Sequence, residues 1–353
     1  MADTLRIGDT EILPGSQATI DLPLPSLYTH TRMHMPVRVI RGRQSGPRLF
    51  VSAALHGDEI NGVEIIRRLL AMPLLKRLRG VLIAVPVVNI YGFIAHSRYL
   101  PDRRDLNRAF PGSETGSLTS RLANLFMREV ADNATHGIDL HTGAIHRSNL
   151  PQIRAYLSTP EIRSLANAFG APVILNTNLR DGSLREAIIA KRGIPVLLYE
   201  GGEALRFDEY AIRAGVRGVI SVMRALNMLP QHKHSKLTME PVIAAGSSWV
   251  RAPQSGIMRA AQSLGTRVVK DEVLAVISDP FGETESPVSA RFSGIIIGRT
   301  NLPLVSEGEA LFHIARFHKQ DSVSERLESY EDELAAIPEL ADPYNPEFTD
   351  GED

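Results

Sequence analysis

A histidine and a glutamate three residues apart, His56 and Glu59, follow the apolar run PRLFVSAAL. A second histidine, His141, follows GIDL, and Glu200 closes the run IPVLLY just before Gly201 and Gly202. Imidazole and carboxylate are the donors of a catalytic zinc ion that keeps one position for water. Cysteine is absent from the 353 residues, so disulfides and thiolate ligands are excluded and a transition metal must be held by His and carboxylate. The His56–Glu59 pair alone is a weak signal, because acids are favoured near helix starts for dipole reasons. His141, at the same kind of strand end, completes a three-ligand set. Glu200 has no packing reason to end an apolar strand; its chemistry would be that of a general base that later protonates a leaving amine. Glu203 is its local competitor, and Glu200 is preferred because it directly terminates the strand, where sites in such sheets form.

Residues 90–117, IYGFIAHSRYLPDRRDLNRAFPGSETGS, form a connection long enough to be functional. Amide hydrolysis needs donors near the developing oxyanion, and a substrate carboxylate favours a guanidinium. Arg98, Arg103, Arg104 and Arg108 are the candidates here, with Asn107 as a neutral donor.

These side chains need a frame. PRLFVSAAL and GVLIAVPVVN read as buried strands. In HGDEINGVEIIRRLLAM, Val63, Ile66, Leu69 and Leu70 fall at helical spacing, with Asp58 and Glu59 expected in the first turn. HGIDLHTG, PVILN and IPVLLYEGGE read as strands, the first and last running into turns. SLTSRLANLFMREVADNA, PEIRSLANAFGAP, SLREAIIAKRG and FDEYAIRAGVRGVISVMRALNML read as helices. The alternation predicts an α/β fold with a mostly parallel or mixed sheet flanked by helices and functional loops at the carboxyl ends of the strands. Residues 1–45 read as an arm or edge strands, 46–235 as the domain carrying the site, 236–318 as a small all-β domain, and 319–353 as an acidic tail.

Charge is uneven along the chain. The net charge is −1, yet Lys319 to Asp353 holds 12 acids and 2 bases, leaving about +9 on the rest. The tail reads as a short charged helix and a solvated, proline- and acid-rich end. A mildly positive body favours an anionic substrate. No run reaches the roughly 18–20 apolar residues of a membrane span, and the first residues lack the apolar core of a signal peptide. Nucleic acid is disfavoured as a partner, with 6% aromatics and no basic-aromatic platform. A reducing, cytoplasmic compartment is the expectation.

HGDE, DLNR, DLHTG and YEGGE, in that order, resemble the succinylglutamate desuccinylase/aspartoacylase family, which shares a clan with the zinc carboxypeptidases, over roughly residues 45–230. The resemblance implies a carboxypeptidase-like mixed sheet between helices. It implies one zinc per chain, with His56, Glu59 and His141 as ligands and Glu200 as catalytic acid/base. It also implies that Asn107 and Arg108 bind the substrate carboxylate and that Asp105 hydrogen-bonds a ligand histidine. An arginine shortly before DLNR polarises the scissile carbonyl in that family; Arg98 in S-R-Y resembles it best, and Arg103 stays open because the gap in RYLPDRRDLNR is longer than that pattern. HTGAIHRSNLPQIRA departs from the better-known members and resembles a bacterial branch in which some members deacylate small N-acyl amino or diamino acids. His146 and Arg147 would there line the specificity region, or else be ordinary loop residues.

The C-terminal segments RAPQSGIMRAAQSLGTRVVKDEVLAVISDP and ARFSGIIIGRTNLPLVSEGEALFHI resemble the biotinyl/lipoyl-like hammerhead fold. A carrier of that kind needs a lysine at a hairpin tip. The only lysine from Pro241 to His318 is Lys270, in strand-forming RVVKDEVL, so a cap over the site or a homo-oligomer interface is expected instead. The combined expectation is a zinc-dependent amidohydrolase for a small anionic N-acyl amino acid. A carboxypeptidase for short peptides would share every metal residue, whereas a non-catalytic zinc-binding protein would have no use for Glu200.

Overall fold

The computed structural model describes residues 4–231, 241–317, 321–337 and 340. A hairpin, β1 (Leu5–Ile7) and β2 (Thr10–Ile12), precedes β3 (Gln17–Leu24) and β4 (Met33–Arg41). Along β3 buried residues alternate with exposed ones in the second half, as one-sided cover requires. By contrast β5 (Arg48–Ala53) and β6 (Val81–Val85) are buried on both faces, which is why their sequences are nearly unbroken apolar runs. Helix α1 (Asn61–Ala71) lies between them in the chain, and α2 (Ile90–Ile94), α3 (Leu118–Glu129), β7 (His136–Gly143), β8 (Arg147–Ala155) and α4 (Pro160–Phe169) follow. Then come β9 (Val173–Asn176), α5 (Leu184–Arg192), β10 (Val196–Glu203), α6 (Glu209–Ala225) and β11 (Val242–Ala244).

The strand order is β3-β4-β6-β5-β7-β10-β8-β9-β11. β6, β5, β7 and β10 are mutually parallel, while β4 and β8 run antiparallel to their neighbours β6 and β10, so the sheet is mixed. Leu49, Val51, Ile138 and Leu140 pack with residues of α1, α4 and α6 on one face. Phe50, Val81 and Ile83 pack with α3 and α5 on the other. Helices α3, α4, α5 and α6 start on side-chain caps from Ser117, Thr159, Ser183 and Asp208. No helix among the described residues is long and apolar enough to cross a membrane.

Helix α1 differs from its sequence reading. It begins at Asn61, so Asp58 and Glu59 lie in the turn before it and not in its first turn. That turn is fixed by packing. The Leu205 N–H donates to the Asp58 carbonyl at 2.8 Å, and a Cβ on Gly57 would sit 2.0 Å from the carbonyl carbon of Gly92. The chain therefore passes tightly between α2 and the β10–α6 connection before the helix can start.

The C-terminal strands are β12 (Gly246–Arg251), β13 (Gly256–Ala260), β14 (Arg267–Val268), β15 (Val273–Ser278), β16 (Glu285–Ser289), β17 (Gly294–Thr300), β18 (Leu304–Val305) and β19 (Ala310–Arg316). They form an all-β region in which β16, β15, β13 and β18 make one sheet. The strands β17, β19 and β12 instead prolong the central sheet, because β17 pairs with the first residues of β8, Gly298 opposite Asn149 and Thr300 opposite Arg147. Helix α7 (Asp321–Ala335) then returns to the central layer, with Tyr330 and Leu334 buried in the core. Arg213 of α6 donates to the carbonyls of Leu334 and Ala335. The solvated tail expected from composition does not extend to this helix, since its apolar residues find cover on α6. Residues 341–353 of that tail lie outside the described residues.

Replacing Gly57 by Ala should cost about 1–3 kcal/mol of stability, because the new Cβ meets backbone that cannot yield without strain. Thermal unfolding of the two proteins checks this, and an unchanged midpoint would show that the turn has room to relax.

Candidate metal centre and active site

The carboxyl ends of β5, β7 and β10 meet at a cavity of about 440 Å³. His56 and Glu59 enter it from the turn after β5, and His141 and Glu200 from β7 and β10, where they stand directly opposite one another in the strand register. Parallel neighbours at the same level present their side chains to the same face, so the register itself brings His141 and Glu200 together. Both strands run further than their glycines suggest, β7 through Gly143 and β10 through Glu203. A register irregularity between Glu200 and Glu203, with Gly202 at φ 75°, stands where a flexible turn is expected.

Glu59 is the centre of the group. Its Oε1 lies 2.7 Å from His56 Nδ1 and its Oε2 lies 2.7 Å from His141 Nδ1. Donor atoms of the three residues lie within 4.8 Å of one another, and all three residues are buried. Each far ring nitrogen faces another carboxylate: His56 Nε2 is 3.2 Å from Asp105 Oδ1, and His141 Nε2 is 2.7 Å from Asp139 Oδ2. A carboxylate behind each imidazole holds the proton on Nε2 and frees Nδ1 as a ligand, which is the support metal-bound histidines take. Two such nitrogens and one carboxylate fit a divalent transition metal.

The electrostatics agree. Burial alone would raise the Glu59 pKa, but His56 and His141 hold its carboxyl well below the usual carboxylate range. Burial likewise opposes charge on His141, yet Asp139 and Glu59 on either side raise its pKa well above the ordinary value. A buried group of carboxylates around two imidazoles suits a bound cation. Asp139 was missed from sequence, although D-L-H on a strand puts residues two apart on one face. Ser52 Oγ donates to its other oxygen at 2.7 Å.

Of the arginines around DLNR, the structure brings Arg98 and Arg108 to the cavity and leaves Arg103 and Arg104 outside it. Arg98 reaches Glu59 at 3.2 Å and Asp105 at 3.0 Å. Arg103 and Arg104 are exposed on a turn closed by hydrogen bonds between Leu100 and these two residues, with Arg103 in left-handed backbone at φ 61°. Asn107 Oδ1 accepts from the Leu184 N–H at 2.9 Å, which orients the amide so that Nδ2 remains as its donor. Arg147 lines the cavity; His146 does not, and is exposed beside Glu203. Glu203 turns away from the cavity to accept hydrogen bonds from the His146 N–H and Asn301 Nδ2.

Sequence reasoning missed Asn149, Arg154, Arg180, Arg185 and Trp249, all of which line the cavity. Six arginines (98, 108, 147, 154, 180 and 185) share its wall with only three carboxylates, Glu59, Asp139 and Glu200, a balance that favours an anionic ligand. Partial burial and the nearby Arg154 push the Arg185 pKa down to about 10. Trp249 arrives from β12, stacked on His313 at 4.7 Å and covered by the Arg147 guanidinium at 4.8 Å. Burial, with Arg154 and Arg147 nearby, pushes the His313 pKa down to about 3, so the ring behind Trp249 is neutral.

The arrangement offers the two-histidine, one-carboxylate donor set that could hold a metal at the carboxyl edge of an α/β sheet. The sequence profile of the succinylglutamate desuccinylase/aspartoacylase catalytic domain matches residues 45–226, and the chain belongs to this family. It is similar to an N-alpha-acetyl-L-2,4-diaminobutyric acid deacetylase of Halomonas elongata, 26% identical over 294 residues that cover 80% of this chain and 85% of the relative. A solved succinylglutamate desuccinylase from a Silicibacter species matches with a TM-score of 0.77 at 25% identity, over 86% of this chain and 95% of that one. The fold is also that of the product-bound ectoine utilization protein EutE (DoeB) from Ruegeria pomeroyi, with a TM-score of 0.77 at 24% identity over 85% of this chain and 95% of that one.

Asp139→Asn should weaken divalent-metal affinity about 10–100-fold, the usual effect of losing a carboxylate behind a ligand histidine. Competition with a chelator measures it. Unchanged affinity would show that His141 does not depend on Asp139 to present Nδ1.

Proposed function

We propose that the protein is a zinc-dependent deacylase that hydrolyses the amide of a small anionic N-acyl amino acid. The observation that carries this reading is the placement of Glu200 opposite His141 in one cavity with the His56–Glu59–His141 group. His56, Glu59 and His141 would hold one zinc per chain. When bound, the ion supplies Lewis acidity at the scissile carbonyl and lowers the pKa of its water toward about 7.

Glu200 accepts a proton from the attacking water as the new C–O bond forms. It returns that proton to the amine nitrogen as the C–N bond breaks, which releases a carboxylate and an amine. Arg98, already paired with two carboxylates at the cavity, donates to the carbonyl oxygen as it gains negative charge. Asn107 Nδ2 and the Arg108 guanidinium take the carboxylate of the amino-acid half. Arg147, over the Trp249 ring, contributes to specificity, and the C-terminal strands act as a wall of the site. The relative from Halomonas elongata supports an N-acyl amino or diamino acid as substrate. A cavity of about 440 Å³ walled by Trp249 suits such a molecule better than an extended peptide.

The test is metal content by plasma mass spectrometry of wild type and Glu200→Gln, with both assayed on N-acetyl and N-succinyl amino acids, Nα-acetyl-2,4-diaminobutyrate included. About one zinc per chain is expected in both proteins, with kcat lower by about 10²–10⁴-fold in the variant, the range general acid–base catalysis supplies. A folded wild type that neither holds zinc nor turns over any of these after zinc addition would favour a non-catalytic binding protein.

A further inference from the structure

Glu200 is gripped by one of its two oxygens. Asn149 Nδ2 donates to Oε2 at 2.5 Å, and Arg154 Nη2 lies 3.0 Å from the same atom. Among the described residues Oε1 has no hydrogen-bond partner, and the side chain, 14% exposed, lines the cavity. We propose that Asn149 and Arg154 form a clamp that positions Glu200, fixing Oε2 so that Oε1 is the oxygen that receives and returns the proton. The proposal rests on the hydrolytic reading above and assigns positioning roles to two residues of β8.

The sheet explains how the clamp is built. Arg154 stands opposite Leu198, two residues before Glu200, and Asn149 stands opposite Gly202, two residues beyond it. The two donors therefore approach Glu200 from both directions along the antiparallel neighbour strand. Among the described residues Glu200 is the only acid within ion-pair distance of Arg154. The Arg154 backbone is itself tied, its carbonyl accepting from Arg185 Nη1 at 3.1 Å. On the other side of Asn149 the chain places Gly298, where a Cβ would come 2.9 Å from Asn149 Oδ1 and 3.1 Å from the His313 Cβ. The glycine leaves Asn149 room to turn its amide nitrogen to Glu200. A base held by one oxygen keeps a single rotamer while the other oxygen stays in reach of the water, and misplacement by about 1 Å can cost about 100-fold in rate.

Arg154→Ala and Arg154→Lys, studied in the full chain beside wild type, test the clamp by kinetics and by crystallography. For the alanine variant, kcat should fall about 10–100-fold with KM little changed. Added guanidinium ion should restore part of kcat, and the lysine variant should retain more activity than the alanine one. In its crystal structure the Glu200 carboxylate should leave Asn149 or spread over several rotamers. A raised KM with kcat intact would make Arg154 a substrate ligand and overturn the proposal, as would unchanged kinetics. If wild type deacylates nothing, the hydrolytic reading fails, and crystallography alone decides the clamp. Glu200 remaining on Asn149 in the alanine variant would then refute it.

Discussion

A buried carboxylate must be matched by positive or donating groups, and Glu59 is where this structure meets that demand. It is almost closed to solvent, with an imidazole on each oxygen and the Arg98 guanidinium against Oε1. Leaving such a charge without a partner costs about 3–5 kcal/mol, so the surrounding elements cannot shift independently. Asp105 and Asp139 follow from the same demand, since each histidine that faces Glu59 needs an acceptor behind it. Arg98 spans Glu59 and Asp105 and so ties the long connection after β6 to the turn after β5. The result is a group of alternating signs whose centre has the donor set of a metal site.

The sheet supplies the rest. Three parallel strands end at one level, and each contributes through its carboxyl end or the turn beyond it. β8 has two tasks: it runs antiparallel beside β10, carrying Asn149 and Arg154 to Glu200, and its first residues hydrogen-bond to β17. Through that second pairing the C-terminal strands join the central sheet, and Trp249, stacked on His313, reaches the cavity wall. The all-β region is thus tied to the site by backbone hydrogen bonds as well as by side-chain packing.

The parts of this arrangement legible in sequence are those written locally. His56, Glu59, His141 and Glu200 each follow an apolar run at a strand's end, and the order of four short motifs pointed to the family. The extents of β7 and β10 were less legible, because glycine after His141 and Glu200 signals a turn locally while strand pairing carries both strands onward. Arg98 and Arg103 could not be separated from spacing alone; the turn between Leu100 and Arg104 separates them. Asn149 and Arg154 had no local mark, since their approach to Glu200 depends on the antiparallel return of β8 beside β10, and Arg185 and Trp249 had none because they come to the cavity from α5 and β12. In α7 the acidic composition masked Tyr330 and Leu334, four residues apart on one face and both buried.

The central claim, a metal held by His56, Glu59 and His141 with Glu200 left free to act on water, is tested most directly by anomalous diffraction at the zinc edge from crystals grown with zinc. One peak per chain is expected, about 2.0–2.1 Å from Nδ1 of each histidine and at a similar distance from a Glu59 oxygen, with Glu200 outside bonding distance. A peak that takes Glu200 as a fourth protein ligand would describe a closed structural site, and no peak at these residues would leave the account without its metal.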